Sequence, residues 1–590
     1  MLSKNIIMKP KIALILICSF FSKLFSSDII AQPIDLSTEA WKFRQGDSMA
    51  WATPQYDDAD WQNIAVGIPW ESALNIQYDG MAWYRRSVTV PKDLQKAVRK
   101  NGSMVLKLGL IDDADETYFN GVKIGAQGKM PPESLSAWDV QRVYIVPMKL
   151  IKWDEPNVIA IRVSDWGGGG GMYSGEYVLE ATTWKNKFKV LIENARSTNA
   201  FDLDEPVVIK AQLANSSDQK LEGTLTCEVK DFMGNTLDKQ SQEVKVLRGV
   251  VTKVTDFIFN ISQEGFYVST FTFKDKKGYS IKEKKGFAIA PERIKPDPNR
   301  PLDFDAYWEK TRAELAQITP HYTLKHLPKW TTPAVDVYEV EMRSLGNVRV
   351  RGYYAQPKGK TGMPAVLHVQ GYSSVMQPFD LDTNVAAFFL NIRGHGNSRD
   401  DINPGFPGFL LKGLENKDTY IYRGAYMDCV RAVDFLCSRP EVDSNRVAVS
   451  GGSQGGALSI ATASLDKRIK LCMPDVPFLS DFQNYFKIAH WPLDEFKHYI
   501  SKTGKSWEDV YSVLNYIDIK NHAVNVTCPV IMAVGLFDDV CPPAINFAAY
   551  NNLSSLQKEY YLYPQSGHSV PGSHHSLKMK WLYKHFGLIP

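Results

Sequence analysis

Arg446-Val-Ala-Val-Ser-Gly-Gly-Ser-Gln-Gly-Gly-Ala-Leu-Ser-Ile-Ala-Thr-Ala463 decides how this chain is read. Its first five residues are a short apolar run suited to a buried parallel strand, and its last seven are helix-forming. Between them lies Gly451-Gly-Ser-Gln-Gly-Gly456, a serine flanked by glycines at a strand-to-helix turn. Such a turn strains the backbone at the serine and leaves no room for neighbouring side chains, which glycine provides. It also points the hydroxyl away from the sheet and sets the amide of Gln454 at a helix N-terminus, where it can donate to a developing oxyanion. A G-x-S-x-G match alone can arise by chance in any glycine-containing loop; the strand before it and the helix after it make the match specific.

A serine hydroxyl is a weak nucleophile near neutral pH, so it needs a base in hydrogen-bond reach and a carboxylate to orient that base. After an elbow of this kind the partners follow in the order serine, acid, histidine, each beyond the C-terminal end of a later strand. Val530-Ile-Met-Ala-Val534 runs on to Asp538 and Asp539, and Tyr561-Leu-Tyr563 runs on to His568. Asp538 is the candidate acid, with Asp539 its rival. His568 is the candidate base; its rivals His574 and His575 lie farther from the strand end, at a helix start. A second oxyanion donor is expected after an earlier strand, where His368-Val-Gln-Gly-Tyr372 offers the backbone amide of Tyr372; the alternative is a tight turn that only ends the strand. His395, in Asn391-Ile-Arg-Gly-His-Gly-Asn-Ser398, reads as structural or pocket-lining, since the triad already has its base.

Outward from the elbow, Val366–Val369, Val385–Leu390, Lys470–Met473 and Glu559–Tyr563 are further short apolar runs, interleaved with helical stretches such as Gly424–Leu436. That alternation predicts a mostly parallel sheet covered by helices on both faces. It starts after the proline-rich Lys295-Pro-Asp-Pro-Asn-Arg-Pro301, which interrupts helix and ladder bonding alike. Upstream the texture is all strand and turn: Met81–Val90, Met104–Leu108, a turn at Phe119-Asn-Gly121, Val158–Val163, then Val207–Leu213, Leu225–Val229 and Tyr267–Phe273. The expected architecture is multidomain, a C-terminal α/β-hydrolase fold with two N-terminal β-sandwich domains. Its divisions are 1–31 a signal peptide, 32–184 a jelly-roll sandwich, 185–292 an immunoglobulin-like sandwich, and 293–590 the α/β-hydrolase domain.

With 590 residues the chain is too long for one core, and 44% hydrophobic with 23% charged residues excludes disordered and collagen-like classes. Lys4, Lys9 and Lys11 precede the apolar run Ile12–Phe21, and a small-residue cleavage point follows at Ala31, which together read as a secretory signal. The run is far shorter than the roughly 20 residues a bilayer-spanning helix needs. The expected location is secreted or periplasmic. A lipid anchor on Cys18 competes with this reading, against which stands the bulky Ile17 before it. The formal charge of +3 resides wholly in residues 1–31, leaving about zero beyond them, and no basic tract appears; nucleic acid is excluded as a partner. The six cysteines after Cys18 are too sparse for a disulfide framework. Cys429 and Cys437 would lie about 12 Å apart on one helix, too far to bridge, and a distant partner for Cys528 stays open.

Residues 295–590 resemble carbohydrate esterase family 7, the acetyl xylan esterases and cephalosporin C deacetylases. The matching pieces are Leu302-Asp-Phe-Asp-Ala-Tyr-Trp308, Gly371-Tyr372, Arg393-Gly-x-Gly396, Tyr420-Ile-Tyr-Arg423, Gly451–Gly456, Asp475-Val-Pro-Phe478, Asp538-Asp-Val-Cys-Pro-Pro543 and Gly567-His568. The resemblance implies Ser453 as nucleophile, Asp538 as acid, His568 as base, and the amides of Tyr372 and Gln454 as oxyanion hole. It further implies an acetylated oligosaccharide or polysaccharide as substrate, no metal or organic cofactor, and a homo-oligomer, since family members form hexameric rings. The chain departs from the family pattern at Ser373-Ser374, where a longer glycine-rich loop is common, and at Ser569, where an acid follows the histidine. Residues 32–184 resemble the sugar-binding jelly roll of glycoside hydrolase family 2 at Tyr56–Trp61, Ile68-Pro-Trp70, Gly80–Arg86, Phe119-Asn-Gly121 and Gly167–Gly171. Trp61, Trp70 and Trp83 there read as core rather than as sugar-stacking surface.

Overall fold

The computed structural model describes residues 32–588 except 77, 102, 132–135, 139, 167–168, 183, 218 and 490. Residues 1–31, read above as a signal, with Cys18 and Ala31, and Gly167 and Gly168 of the glycine run, lie outside the described residues.

The C-terminal half is built on one nine-stranded sheet. Its strands are β1 (Thr323–His326), β2 (Val335–Ser344), β3 (Val348–Pro357), β4 (Met363–Val369), β5 (Ala386–Asn391), β6 (Val442–Gly452), β7 (Ile469–Asp475), β8 (Val530–Gly535) and β9 (Lys558–Tyr563). Their order is β1-β2-β3-β5-β4-β6-β7-β8-β9. The first three strands and β5 meet antiparallel, while β5-β4-β6-β7-β8-β9 is parallel throughout. Strands covered on both faces need apolar side chains all along, and every residue of β5 and of β8 is buried. The helix α1 (Ile421–Cys437) and the helix α2 (Gln454–Leu465) bring their apolar sides to this sheet, and all twelve residues of α2 are buried. This is the α/β-hydrolase arrangement expected from the alternation of strands and helices.

Upstream, a four-stranded and a six-stranded antiparallel sheet enclose one core, and a four-stranded and a five-stranded sheet enclose the next. Inner positions alternate with outer ones along a strand such as Leu221–Asp231, as facing sheets require. Phe119-Asn-Gly forms its turn: Asn120 (φ 48°) and Gly121 (φ 81°) join Ala114–Phe119 to Val122–Gln127 in the left-handed conformation a two-residue hairpin demands. Trp61, Trp70 and Trp83 are buried, Trp70 and Trp83 completely. The second sandwich is keyed into the C-terminal half. Phe266 packs 5.2 Å from Phe547, and the Gly286 amide donates to the Pro564 carbonyl at 2.8 Å.

Among the described residues Cys227, Cys429, Cys437, Cys472, Cys528 and Cys541 are free thiols. No described helix is long and apolar enough to cross a membrane.

Candidate active site

The chain leaves β6 at Gly452, turns at Ser453 with φ 56° and ψ −121°, and enters α2 at Gln454. A non-glycine residue held at that φ is costly and persists only where its surroundings over-determine it. Here they do: the Ser453 amide donates to the Asp475 carbonyl at 2.9 Å, and its carbonyl accepts from Phe478 and Ala457. A Cβ on Gly451 would lie 2.6 Å from the Val369 carbonyl oxygen, and one on Gly455 2.3 Å from the same atom. The glycines are therefore required by the approach of β4 to the turn.

The acid and base loops are laced together beyond β8 and β9. Leu536 donates to the Tyr563 carbonyl and Phe537 to the Ser566 carbonyl, and a Cβ on Gly535 would meet Gly567 oxygen at 2.1 Å. Asp538 is fully buried. Its Oδ1 accepts from the amides of Val540 (2.9 Å) and Cys541 (2.7 Å), and its Oδ2 lies 2.8 Å from His568 Nδ1. Burial pushes the Asp538 carboxyl up, opposed by His568 and by those two amides. With Nδ1 donating to the carboxylate, His568 is left with Nε2 as its acceptor. Beside this pair, burial drives the Cys541 thiol well up, opposed by a hydrogen bond with Ser453. Asp538, Cys541 and His568 place donor atoms within 4.8 Å of one another. Both Asp538 oxygens are already engaged, by the amides of Val540 and Cys541 and by His568, with the buried Cys541 thiol beside them.

The rival residues go elsewhere. Asp539 is exposed. His574 is buried on the helix Gly572–His585, 3.0 Å from Asp475, and His575 lies 3.2 Å from Asp380.

Ser453 and His568 line a cleft of about 450 Å³, together with Tyr372, Phe406, Trp491 and Glu495. The Tyr372 ring stands edge-on to Phe406 at 4.9 Å and packs 5.4 Å from Trp491. Among the described residues no acceptor engages the Tyr372 amide or the Gln454 amide, the latter being the first of a helix. The Gln454 side chain, which sequence reading passed over, is buried. Its Oε1 accepts from Tyr422 at 2.7 Å, and its Nε2 lies 3.3 Å from His395 Nε2 and 3.4 Å from the carbonyls of Gln370 and Gly371. It thereby ties the elbow to the loop carrying Tyr372. Burial lowers His395 to about 4, so the ring stays neutral near pH 7, packed edge-on to Phe406 and Phe409.

Beneath the elbow lies a second group that motif reading did not find. Lys578 donates to Asp475 and to Ser450 Oγ (3.1 Å), and His574 sits 3.0 Å from Asp475, too poorly aligned for a hydrogen bond. Burial would raise Asp475, but Lys578 and His574 overcome it and hold the carboxyl below its ordinary range. The signal was present in an aspartate ending a buried strand, and its partners lie about a hundred residues downstream.

Fold and site together define a serine hydrolase of the α/β-hydrolase class. The family model described as acetyl xylan esterase (AXE1) matches residues 292–585. The acetyl esterase Axe7A of Xylanibacter ruminicola is 31% identical over 312 residues, half of this chain and 70% of that protein. The chain belongs to the acetyl xylan esterase family and is a serine carboxylic-ester hydrolase. A solved acetyl xylan esterase from Paenibacillus sp. R4 is 32% identical, with 50% of this chain and 98% of that one covered and a TM-score of 0.47. The β-galactosidase BoGH2A of Bacteroides ovatus is 27% identical over 153 residues, 22% of this chain and 16% of that protein.

Proposed function

We propose that this chain removes O-acetyl groups from acetylated oligosaccharide or polysaccharide, with Ser453 as nucleophile, His568 as general base and acid, and Asp538 as the orienting carboxylate. The reading is carried by the 2.8 Å contact of His568 Nδ1 with buried Asp538 at the wall of a cleft that Ser453 also lines. His568 Nε2 takes the hydroxyl proton as Ser453 Oγ attacks the acetyl carbonyl carbon. The amides of Tyr372 and Gln454 receive the oxyanion, the intermediate collapses to an acetyl-serine, and the sugar alcohol leaves with the proton from His568. Water, deprotonated by the same imidazole, then releases acetate. Every step is acyl transfer and needs no metal or organic cofactor.

Xylo-oligosaccharide is the favoured glycan, in keeping with the acetyl xylan esterase description of the family model. Residues 32–184 and 185–292 are read as separate sandwich domains ahead of the esterase domain at 293–590. Export after removal of residues 1–31, and assembly of several copies, complete the proposal.

The test compares wild type with Ser453→Ala on p-nitrophenyl acetate and on acetylated xylo-oligosaccharides. The expected loss in kcat is about 10⁴-fold or more on both. Equal rates for the two proteins would remove Ser453 from the mechanism, and a wild type inactive on the sugars would remove the glycan.

A further inference from the structure

Asp475 touches the nucleophile with its backbone and the segment after the base with its side chain. It ends β7, where its carbonyl accepts from the Ser453 amide at 2.9 Å. The helix α2 comes so close behind that a Cβ on Gly456 would lie 2.7 Å from the same oxygen. Its carboxylate accepts from Lys578 of the helix Gly572–His585, which starts four residues after His568. Lys578 also donates at 3.1 Å to Ser450 Oγ, on β6 three residues before Ser453. One ammonium group thus joins the two strands that frame the serine turn to the helix downstream of the base.

The same helix closes the foot of the His568 loop. Tyr563 ends β9, and its hydroxyl meets His574 Nδ1 at 2.8 Å, so the chain leaves the sheet and returns to a helix across one hydrogen bond with His568 between. The outgoing half of the loop is held by the Phe537 amide on the Ser566 carbonyl, and the returning half runs into the two turns that carry His574 and Lys578. Lys578, Asp475 and Ser450 are 8%, 6% and 5% exposed, which removes them from contact with substrate. Burial would raise the Asp475 carboxyl, yet Lys578 keeps it below its ordinary range, so the pair is charged. A buried ion pair adds little to stability over apolar residues of equal volume. What it supplies is direction, since an ammonium group between two fixed acceptors has one place to stand. Direction matters here, because a misplacement of about 1 Å between reacting groups costs on the order of 10²-fold in rate.

We propose that Lys578 is a positioning residue for ester hydrolysis: held by Asp475 and Ser450 on the strands of the nucleophile, it fixes the helix Gly572–His585, and with it the loop that brings His568 within reach of the Ser453 hydroxyl. This assignment rests on the triad proposed above, and Lys578 acts through those two elements and not on substrate.

The experiment measures kcat and KM of the whole chain on p-nitrophenyl acetate, together with melting temperatures, for wild type, Lys578→Met, the charge-balanced double variant Asp475→Asn/Lys578→Met, Ser450→Ala and Ser453→Ala. Lys578→Met is expected to lose about tenfold or more in kcat with KM within twofold of wild type. Its melting temperature also falls, because Asp475 is left buried without a countercharge. In the double variant that charge is gone, so the melting temperature returns toward wild type while kcat stays about tenfold down. A merely structural ion pair makes the opposite forecast, with kcat returning alongside the melting temperature. Ser450→Ala deletes one of the two acceptors and should lower kcat about threefold at unchanged KM. A kcat within twofold of wild type in Lys578→Met or in the double variant would overturn the assignment, as would a loss carried by KM. If both Lys578 variants fail to fold, Ser450→Ala decides, and an unchanged kcat there overturns it. Ser453→Ala as active as wild type would instead overturn the triad on which the assignment rests.

Discussion

Asp538 has both carboxylate oxygens engaged: two amides hold one oxygen and the His568 ring holds the other. Asp538→Asn would keep the shape but present an N–H to the ring nitrogen and favour the wrong tautomer, so kcat on p-nitrophenyl acetate should drop by about 10⁴. Asp539→Asn, on an exposed neighbour, should change it less than twofold. The order serine, acid, histidine made the triad legible, but nothing in two adjacent aspartates says which is turned inward; the amides of Val540 and Cys541 make that choice. A residue-scale consequence also follows for stability. His522 is completely buried between Ser464 and the Tyr516 carbonyl, and burial lowers it to about 3. Below the ordinary histidine pKa of about 6.5 the unfolded chain takes up a proton that the folded chain refuses, so stability falls as pH drops from there toward the folded value. The urea midpoint should be lower at pH 4.5 than at pH 7, and His522→Gln should shrink that difference by an amount worth roughly 2 kcal/mol.

At the scale of elements, the loop leaving β5 is held to α1 by one ion pair. Arg393 donates to both oxygens of buried Asp428, at 2.7 and 2.9 Å, and its backbone amide joins them at 2.9 Å. Gly424 on α1 makes room for the guanidinium, since a Cβ there would lie 2.0 Å from it. Arg393→Met removes the guanidinium and leaves a buried carboxylate with the residue 393 backbone amide but no countercharge, which should cost about 3–5 kcal/mol in urea unfolding. The Arg393-Gly-x-Gly396 piece was visible as a motif, yet its task was not. Motifs report residue types, while the partner Asp428 belongs to a helix with no sequence relation to the loop. Element boundaries were legible to within a few residues where strands are buried on both faces, as at β8. They were less so at β6, where Asp443–Arg446 are at least partly exposed and lack an apolar signature.

Across the whole molecule, the second sandwich reaches the catalytic loops directly. The Gly286 amide holds the Pro564 carbonyl, and a Cβ on Gly286 would stand 2.5 Å from that of Leu536, two residues before Asp538. Gly286→Val should therefore shift both loops and lower kcat on p-nitrophenyl acetate about tenfold while Ser453 stays in place. In the first sandwich, burial raises Asp79, and Arg399, whose guanidinium stands 5.9 Å from the Phe406 ring, opposes that rise.

Local pattern alone was enough to establish the parallel sheet and the strained serine turn, and to order the three proposed catalytic residues along the chain, because each depends on neighbours in sequence: alternation, glycine and strand ends. The inward choice of Asp538, the Gln454 and Asp475 networks and the Gly286 contact were decided only by tertiary structure. Each joins groups tens to hundreds of residues apart, and burial and hydrogen-bond partnership are properties of the assembled interior.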